Sequence, residues 1–496
     1  MKKSTRNIIV IAASIIVLGG AAAALLLLPG QEEESSSTVS TTTISLVSKA
    51  ENEVVSMKVE NENGGFTIYP KEEVVEASSS SDDSSSGTTA TTKMTYTIEG
   101  LEGIELDPYD PEDALENGYS LNASKEVGQV DNLEDYGLTD PQAEVEVEFQ
   151  DGSTYHYLVG SASAGDGSSY YLCAADSNLV YVASISEELF YSPLDFVETT
   201  LVSITNPDDT TGQSGITMES IELSGTQFPS PISIVQDDNG VFRLIYNGKE
   251  LDVDTQRATT LMTSFSTLEA DKTFAAHPDE DVFADCGFTE PTAVADFSAY
   301  GEDYKITVGK QEGTQWYVMR DGVDVIYLIE DSKLNTWMET NAFLLRDKFV
   351  LLTNIVDVDQ MEVTLDGDSY VFDLSRTKDE EQSTEDNPVY DYTLTGNGKE
   401  LTYENFQKYY QSIIAIQLLE PTDEQPVGEP EITVTYEYYP DTGEESNTVE
   451  FYPSSDRRYI ATVNGDVAGI VKEENLQRVR DNTPKIMNDE EVNPGI

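Results

Sequence analysis

The sequence predicts an α+β protein made of three tandem repeats, each an antiparallel β-sheet with one main helix, behind an N-terminal transmembrane helix. Two recurring segments predict the repeats: GLTDP at residues 137–141 returns as GFTEP at 287–291, and NGKEL at 247–251 returns at 397–401. Both pairs are offset by 150 residues, the length of a domain and too long for one turn of a solenoid. A 21-residue apolar run from Ile8 to Leu28 predicts the membrane helix.

The first two repeats share a series of landmarks in the same order. After the GLTDP or GFTEP segment come an alternating strand, a Val-Gly step, a Tyr-rich strand and a second Tyr-centred strand. A third, weaker copy of this series begins at Glu429-Pro430, and the Gly-Leu and Val-Gly steps are missing from it. The shared positions are Gly137, Pro141, Gly160, Tyr171 and Tyr181 in repeat one and Gly287, Pro291, Gly309, Tyr317 and Tyr327 in repeat two.

Each element of a repeat has its own signal. An alternating strand pair ends at a turn such as Asn247-Gly248 or Asn397-Gly398, as expected for a hairpin. Apolar residues at helical spacing follow, for example Leu261, Phe265 and Leu268 in repeat two. The strand after residue 141 alternates valine with glutamate, which predicts one buried and one solvated face. A glycine that recurs before such a sheet predicts a positive φ angle or a close backbone approach.

These signals divide the chain into seven segments. We predict a cytoplasmic N-terminus at 1–7, a transmembrane signal anchor at 8–28 and a disordered Ser/Thr/Glu stalk at 29–43. Repeat one covers 44–200 with a disordered insertion at 77–92, and repeat two covers 201–345. Repeat three covers 346–480 with an acidic insertion at 378–387, followed by a frayed C-terminal tail at 481–496.

The N-terminal charges orient the predicted anchor. Lys2, Lys3 and Arg6 precede the apolar run, which places the N-terminus in the cytoplasm and the rest of the chain outside the cell. A cleaved signal peptide is the alternative, with Ala22 to Ala24 as the cleavage site. Because Leu25 to Leu28 continue the apolar run past those small residues, the uncleaved anchor is favoured. The chain is therefore expected to be a single-pass, extracytoplasmic membrane protein.

Composition excludes some partners. The formal net charge is −65, from 93 acidic and 28 basic residues, so the surface repels nucleic acid. The favoured interpretation is that such acidity keeps the protein soluble. The alternative is that the acidic surface weakly attracts cations such as calcium or basic partners. Cys173 and Cys286 lie at non-equivalent points of two repeats, which predicts small buried apolar residues and no disulfide-linked partner.

No pattern in the sequence predicts an enzyme. The chain has two histidines, His156 in a strand and His277 in a loop, and lacks the common metal, nucleophile and nucleotide motifs. We therefore assign no catalytic, cofactor or metal residue. The recurring tyrosines suggest either core packing, which equivalent strand positions favour, or a sugar-binding platform.

The repeat segment, the Val-Gly step, the tyrosine strands and the segment LRDK at 345–348 ahead of Val358 resemble the bacterial domain-of-unknown-function family 4340. The resemblance covers about residues 44–480 and adds Arg346 and Asp347 to the signature. It implies a membrane-anchored protein associated with gliding-motility-type auxiliary ABC-transporter components. It implies no catalytic residues.

Together these observations predict a non-enzymatic binding or scaffold protein in an ABC-transporter-linked envelope complex. The alternative, from a different class, is binding or hydrolysis of cell-wall glycans in a cleft of tyrosines and carboxylates.

Overall fold

The computed structural model describes residues 43–75, 91–163, 168–208, 218–237, 240–379, 381, 383–384 and 389–495. These residues are mostly β-strand with few helices, and the sheets are antiparallel. The predicted anchor at 8–28, nearly all of the predicted stalk, most of the insertion at 77–92 and half of the insertion at 378–387 lie outside this range. Within it, no helix combines the length and the apolar character that crossing a membrane requires.

The first sheet contains nine strands among the described residues, in the order β1-β5-β9-β8-β7-β6-β2-β3-β4. Helix α1 (Asp110–Tyr119) lies between β4 and β5 in the chain, and the 3-10 helices are Glu51–Glu53, Leu133–Tyr136 and Glu187–Phe190. The strands are β1 (Ile44–Ser45), β2 (Val54–Asn61), β3 (Phe66–Val75), β4 (Thr91–Ile98), β5 (Asn122–Gln129), β6 (Ala143–Phe149), β7 (Thr154–Ala162), β8 (Ser169–Ala174) and β9 (Leu179–Ser184).

The second sheet also has nine strands in the part of the chain described, and a separate strand pair accompanies it. The separate pair is β10 (Thr200–Ser203) with β15 (Thr267–Glu269). The sheet runs β14-β13-β12-β11-β17-β18-β19-β20-β16. Its strands are β11 (Met218–Ser224), β12 (Ile232–Gln236), β13 (Phe242–Tyr246), β14 (Lys249–Asp252), β16 (Lys272–Ala276), β17 (Ala293–Ala299), β18 (Glu302–Glu312), β19 (Gln315–Arg320) and β20 (Val325–Glu330). Its helices are α2 (Thr255–Thr263), α3 (Glu280–Asp285), α4 (Asp331–Met338) and α5 (Ala342–Leu345), after a 3-10 helix at Pro193–Phe196.

The third sheet runs β24-β23-β22-β21-β26-β27-β28-β29-β25. Its strands are β21 (Val358–Leu365), β22 (Asp368–Lys378), β23 (Tyr390–Gly396), β24 (Lys399–Leu401), β25 (Leu418–Glu420), β26 (Ile432–Tyr438), β27 (Ser446–Pro453), β28 (Arg458–Val463) and β29 (Asp466–Lys472). Its helices are α6 (Tyr403–Ile414) and α7 (Glu473–Met487), with 3-10 helices at Ile355–Asp357 and Pro440–Thr442. Position by position, this order is the same as in the second sheet.

The alternating sequence places one face of each sheet in a core. In β6, Val145, Val147 and Phe149 are buried while the glutamates between them are not, which is the pattern expected of an antiparallel sheet with one solvated face. In the third sheet this face packs on helices α6 and α7, whose buried residues include Phe406, Tyr409, Leu476 and Val479. Burial of the helices' apolar stripes accounts for their stability in this context.

In each region, a short segment ahead of the first long strand pairs with a later part of the chain. Strand β1 pairs with β5, and β10 pairs with β15. The equivalent contact ahead of the third sheet is a bridge between Phe349 and Gln417, next to β25. The segments between the predicted repeats are therefore part of the structure that follows them.

The described residues form two compact parts. The first comprises those within 1–62, 69–94 and 113–190, and the second comprises those within 63–68, 95–112 and 191–496. The second and third sheets thus belong to one compact part.

The C-terminal region differs from the predicted frayed tail. Helix α7 continues through position 480 to Met487, and the residues after it return to helix α6. Asp489 accepts hydrogen bonds from the Thr402 amide at 2.8 Å and the Thr402 hydroxyl at 2.7 Å, and Val492 is buried. The prediction was wrong because the polar composition and Pro484 obscured the apolar stripe of Leu476, Val479 and Ile486.

Candidate functional site

The recurring glycines meet in pairs. Gly287 has a φ of 90°, and a Cβ atom added to it would lie 2.9 Å from the backbone nitrogen of Lys310. A Cβ atom on Gly309 would lie 2.1 Å from the carbonyl oxygen of Cys286. The Lys310 amide donates to that oxygen at 2.8 Å, so the backbone crosses itself here. Both glycines are required because any side chain would separate the crossing segments.

The first sheet contains the same crossing. Gly137 has a φ of 69°, and a Cβ atom on it would lie 2.8 Å from the Ser161 nitrogen. A Cβ atom on Gly160 would lie 2.2 Å from the Tyr136 carbonyl oxygen. In each sheet the strand pairing shifts register at the Val-Gly step, between Val159 and Ala162 in one and Val308 and Gln311 in the other. This bulge directs the glycine toward the crossing segment.

The recurring prolines mark the entry to the next strand. Pro141 and Pro291 are each two residues ahead of a strand, β6 and β17, respectively. Between proline and strand, the Gln142 amide donates to the Val159 carbonyl at 2.8 Å and the Thr292 amide to the Val308 carbonyl at 2.9 Å. Proline suits this position because the ladder begins only at the residue after it.

The recurring tyrosines contribute to packing. Tyr171 contacts Tyr136 edge to face with 4.9 Å between ring centres, in a small apolar cluster with Leu138 and Cys173. Tyr317 occupies the equivalent cluster with Cys286 and Phe288, and Tyr327 is buried while Tyr181 is half-buried. Burial is the main reason that the pKa values of Tyr317 and Tyr327 rise to about 12.

Both cysteines belong to these clusters. Cys173 and Cys286 are buried free thiols, and burial raises the pKa of each. A buried thiol with a raised pKa is a poor nucleophile. The sequence-based expectation of small buried apolar residues is confirmed.

The histidines do not come together. The His156 Nε2 lies 2.6 Å from a Glu144 carboxylate oxygen, and the His277 Nδ1 lies 2.9 Å from an Asp324 oxygen. Each ring is partly exposed and faces one carboxylate across neighbouring strands or a loop. Among the residues that the structure describes, no group of three histidine, cysteine or carboxylate side chains could hold a metal ion.

Arg346 and Asp347 lie where the second sheet meets the third. The Arg346 Nη1 donates to the Ala468 carbonyl at 2.9 Å, and burial lowers its pKa. The Asp347 amide donates to the Asp252 carbonyl at 2.8 Å, while its carboxylate accepts from the Phe349 amide at 2.8 Å. A Lys249–Asp466 ion pair of 2.8 Å spans the same junction. The LRDK segment thus connects the two sheets.

Lys348 completes this junction. Its ammonium nitrogen lies 3.5 Å from the centre of the Phe343 ring and donates to the Phe343 carbonyl oxygen. Its own carbonyl accepts from the Leu418 amide at 2.7 Å. Burial, with the nearby Arg257 and Arg346 charges, lowers the pKa of Lys348 to about 8.

Comparison with known protein families gives a match that includes all of the recurring glycines, prolines and tyrosines and the LRDK segment. The chain matches the family described as Domain of unknown function (DUF4340) over residues 97–291 and 244–426. Together the matches span 97–426, about two thirds of the 496 residues. The chain belongs to this family. Each DUF4340 match runs from the middle of one sheet into the next, so it includes the connection between them. No curated protein matches the chain.

One site in this DUF4340 chain was missed by the sequence analysis. Helix α7 borders a groove of about 770 Å³ whose lining includes Arg457, Lys472, Arg478 and Lys485. The 29 positions from 457 to 485 contain six basic residues, these four with Arg458 and Arg480, which is unusual in a chain with 93 acids, so a scan of charge along the sequence would have found them. The expectation of a frayed tail concealed this site.

Proposed function

We propose that this protein is a non-enzymatic, membrane-anchored binding or scaffold protein of three tandem repeats, working as an accessory component of an ABC-transporter-linked envelope complex. The supporting observation is the use that the fold makes of the repeated residues. Gly137, Gly160, Gly287 and Gly309 form backbone crossings, and Arg346 joins two sheets. Residues used in this way stabilise the fold, so the surface residues are available for binding a partner.

The titratable groups support the same proposal. In the described part of the chain, the tyrosines whose pKa values rise furthest are core residues such as Tyr157, Tyr410 and Tyr436. The shifted Lys348 is held by a ring and a carbonyl at a junction between sheets. Perturbed groups of this kind have structural causes and do not converge on a reacting atom.

The membrane location comes from the sequence. Residues 8–28 form an apolar run of spanning length after Lys2, Lys3 and Arg6. We propose that this run is an uncleaved anchor with the sheets outside the cell. The transporter association is what the family resemblance implies.

The glycan alternative has less support. Tyr171, Tyr317 and Tyr327, which motivated it, pack in apolar clusters. The groove beside helix α7 contains Glu473, Glu474 and Asp481, and the described residues that line it include no tyrosine. A scaffold is therefore the better interpretation.

Affinity purification of the full chain from membranes, solubilised in mild detergent, tests the proposal. We expect transporter subunits to copurify with the wild-type protein and to be absent from a purification of an unrelated single-pass protein. Recovery of the chain alone, under conditions in which another membrane complex stays intact, would argue against the scaffold role.

A further inference from the structure

Two cavities adjoin on the helical side of the third sheet. The first, of about 770 Å³, is the one bordered by basic residues. The second, of about 450 Å³, is lined by the apolar side chains of Phe349, Leu352, Ile414 and Ala415. Arg478 and Gly495 line both, so the cavities form one groove with a cationic end and an apolar end. We call it the C-terminal groove.

The cationic end is distinct from the rest of the surface. Elsewhere, many basic residues form ion pairs, as in Lys408–Glu491 and Arg458–Glu420. Over the residues that the structure describes, Arg457, Lys472 and Lys485 make no ion pair, although the chain carries 93 acids. Four basic and three acidic side chains line this end, which leaves a positive local charge on a protein of net charge −65. Such a site attracts anionic groups and gives them orientation.

The apolar end has features that fit a polypeptide. Leu352 is 54% exposed, a large fraction for a leucine beside other apolar side chains. Gln411, Gln417 and Asn475 line the same cavity, and in the described structure their side chains make no hydrogen bond. A carboxamide both donates and accepts, which matches the two polar groups of a peptide backbone.

We propose that the C-terminal groove binds an acidic, extended segment of a partner protein. Carboxylates of the segment lie near Lys472, Arg478 and Lys485, and a large apolar side chain next to them contacts Leu352 and Ile414. The carboxamides favour this occupant over an anionic lipid, whose acyl chain offers them no hydrogen-bond partner. The proposal rests on the binding role proposed above and identifies the chemistry of the partner.

Selection from a phage-displayed library of short random peptides tests the groove, with the full chain in detergent as target. We expect enriched peptides to combine Asp or Glu with a neighbouring Leu, Ile or Phe. A synthetic peptide of the enriched sequence should lose about tenfold or more in affinity for the Lys472→Glu/Lys485→Glu variant. The Lys125→Glu/Lys272→Glu variant has the same net charge, changes exposed lysines outside the groove and should bind as the wild type does.

Several outcomes would overturn the proposal. These are an absence of enrichment, enriched peptides without acidic residues, or equal loss of affinity in both double variants. Sedimentation with phosphatidylglycerol vesicles that depends on Lys472 and Lys485, without peptide enrichment, would assign the groove to lipid instead. The scaffold role is tested separately: unchanged copurification of transporter subunits with the groove variant would reject the groove and retain the scaffold.

Discussion

Gly287 and Gly309 show how little space the fold leaves at two repeated positions. The recurrence of a glycine before an Asp/Glu-Pro step was enough to predict a positive φ or a close approach, and Gly287 shows both. Its partner was not predictable, because the contact with residues 309 and 310 depends on a bulge in another strand. Sequence periodicity identifies strands but does not locate their irregularities.

Substitution of Gly287 should therefore lower the free energy of unfolding more than substitution of a glycine in an open turn. Gly287 and Gly313 both have positive φ, so alanine at either position strains the backbone by about 1 kcal/mol. At Gly287 the added Cβ also meets the Lys310 nitrogen at 2.9 Å, whereas at Gly313 nothing lies within 4 Å. We expect Gly287→Ala to lower the free energy of unfolding by roughly 1–3 kcal/mol more than Gly313→Ala.

Tryptophan fluorescence is suited to this comparison. The chain has two tryptophans, Trp316 and Trp337, and both belong to the second sheet region. Chemical denaturation followed at these residues reports on the part of the protein that contains both glycines. Equal decreases in the free energy of unfolding for the two variants would show that the backbone crossing contributes nothing to stability.

Lys348 provides a prediction of pH dependence. Its pKa in the folded protein is about 8, below the ordinary 10.5, because burial disfavours the charged form. Between these values the unfolded chain keeps a proton that the folded chain has lost, so Lys348 makes folding more favourable as pH rises from about 8 to 10.5. Below about pH 8 the penalty for burying the charged amine is fully present, and above about 10.5 it is gone, so Lys348 changes stability with pH only inside this window.

Acetylation with acetic anhydride, followed by mass spectrometry of each lysine, measures this pKa. The labelling rate of Lys348 should level off above about pH 8, whereas that of Lys58, whose pKa is raised by its hydrogen bond to Glu60, should continue to rise at higher pH. Parallel profiles for the two lysines would contradict the lowered pKa.

At the scale of elements, helix α7 marks the limit of what the sequence analysis predicted. The helices of the second and third repeats were predicted from apolar residues at helical spacing, such as Phe406, Tyr410 and Ile413. Helix α7 has a similar apolar stripe, but it also contains Pro484 and many polar residues. Both features favour an unstructured tail when only the sequence is considered. Contacts with α6, invisible to periodicity, stabilise it.

The return of the chain onto α6 predicts a stabilising role for Asp489. Its carboxylate accepts from the amide and hydroxyl of Thr402 at the start of α6, and its main-chain oxygen accepts from Asn405 at 3.0 Å. Asp489→Ala should destabilise this end of α6 by about 1 kcal/mol. Hydrogen exchange of the amides at 402–406 should become faster. Glu490→Ala, at an adjacent exposed residue, is the matched control and should leave exchange unchanged. Equal exchange rates of the 402–406 amides in both variants would exclude this role for Asp489.

For the whole molecule, the sequence predicted the repeated sheets but not the groove that their packing forms. The repeat offset predicted several antiparallel sheets, which the structure contains. The cationic groove was not predicted, because Arg457 and helix α7 come together only through the packing of β28 and β29. Sites formed by residues from separate elements require the tertiary structure.

Orientation in the membrane is a prediction for the whole chain. Because positive residues precede the apolar run, residues 31–496 should be outside the cell. Protease added to intact protoplasts should digest the sheets and leave only a fragment of the anchor. A cytoplasmic marker protein should survive the same treatment. Complete protection of the chain would reverse the predicted topology.

The pairing of each linker with a later segment of the region that follows it has a consequence for how such a chain can be duplicated. Strand β10 lies ahead of the second sheet yet pairs with β15, and residues near Phe349 relate to β25 in the same way. A gene duplication that copied only the nine strands of the second sheet would omit the pair formed by β10 and β15. A copied segment that preserves these pairings therefore begins in the linker, upstream of the first long strand.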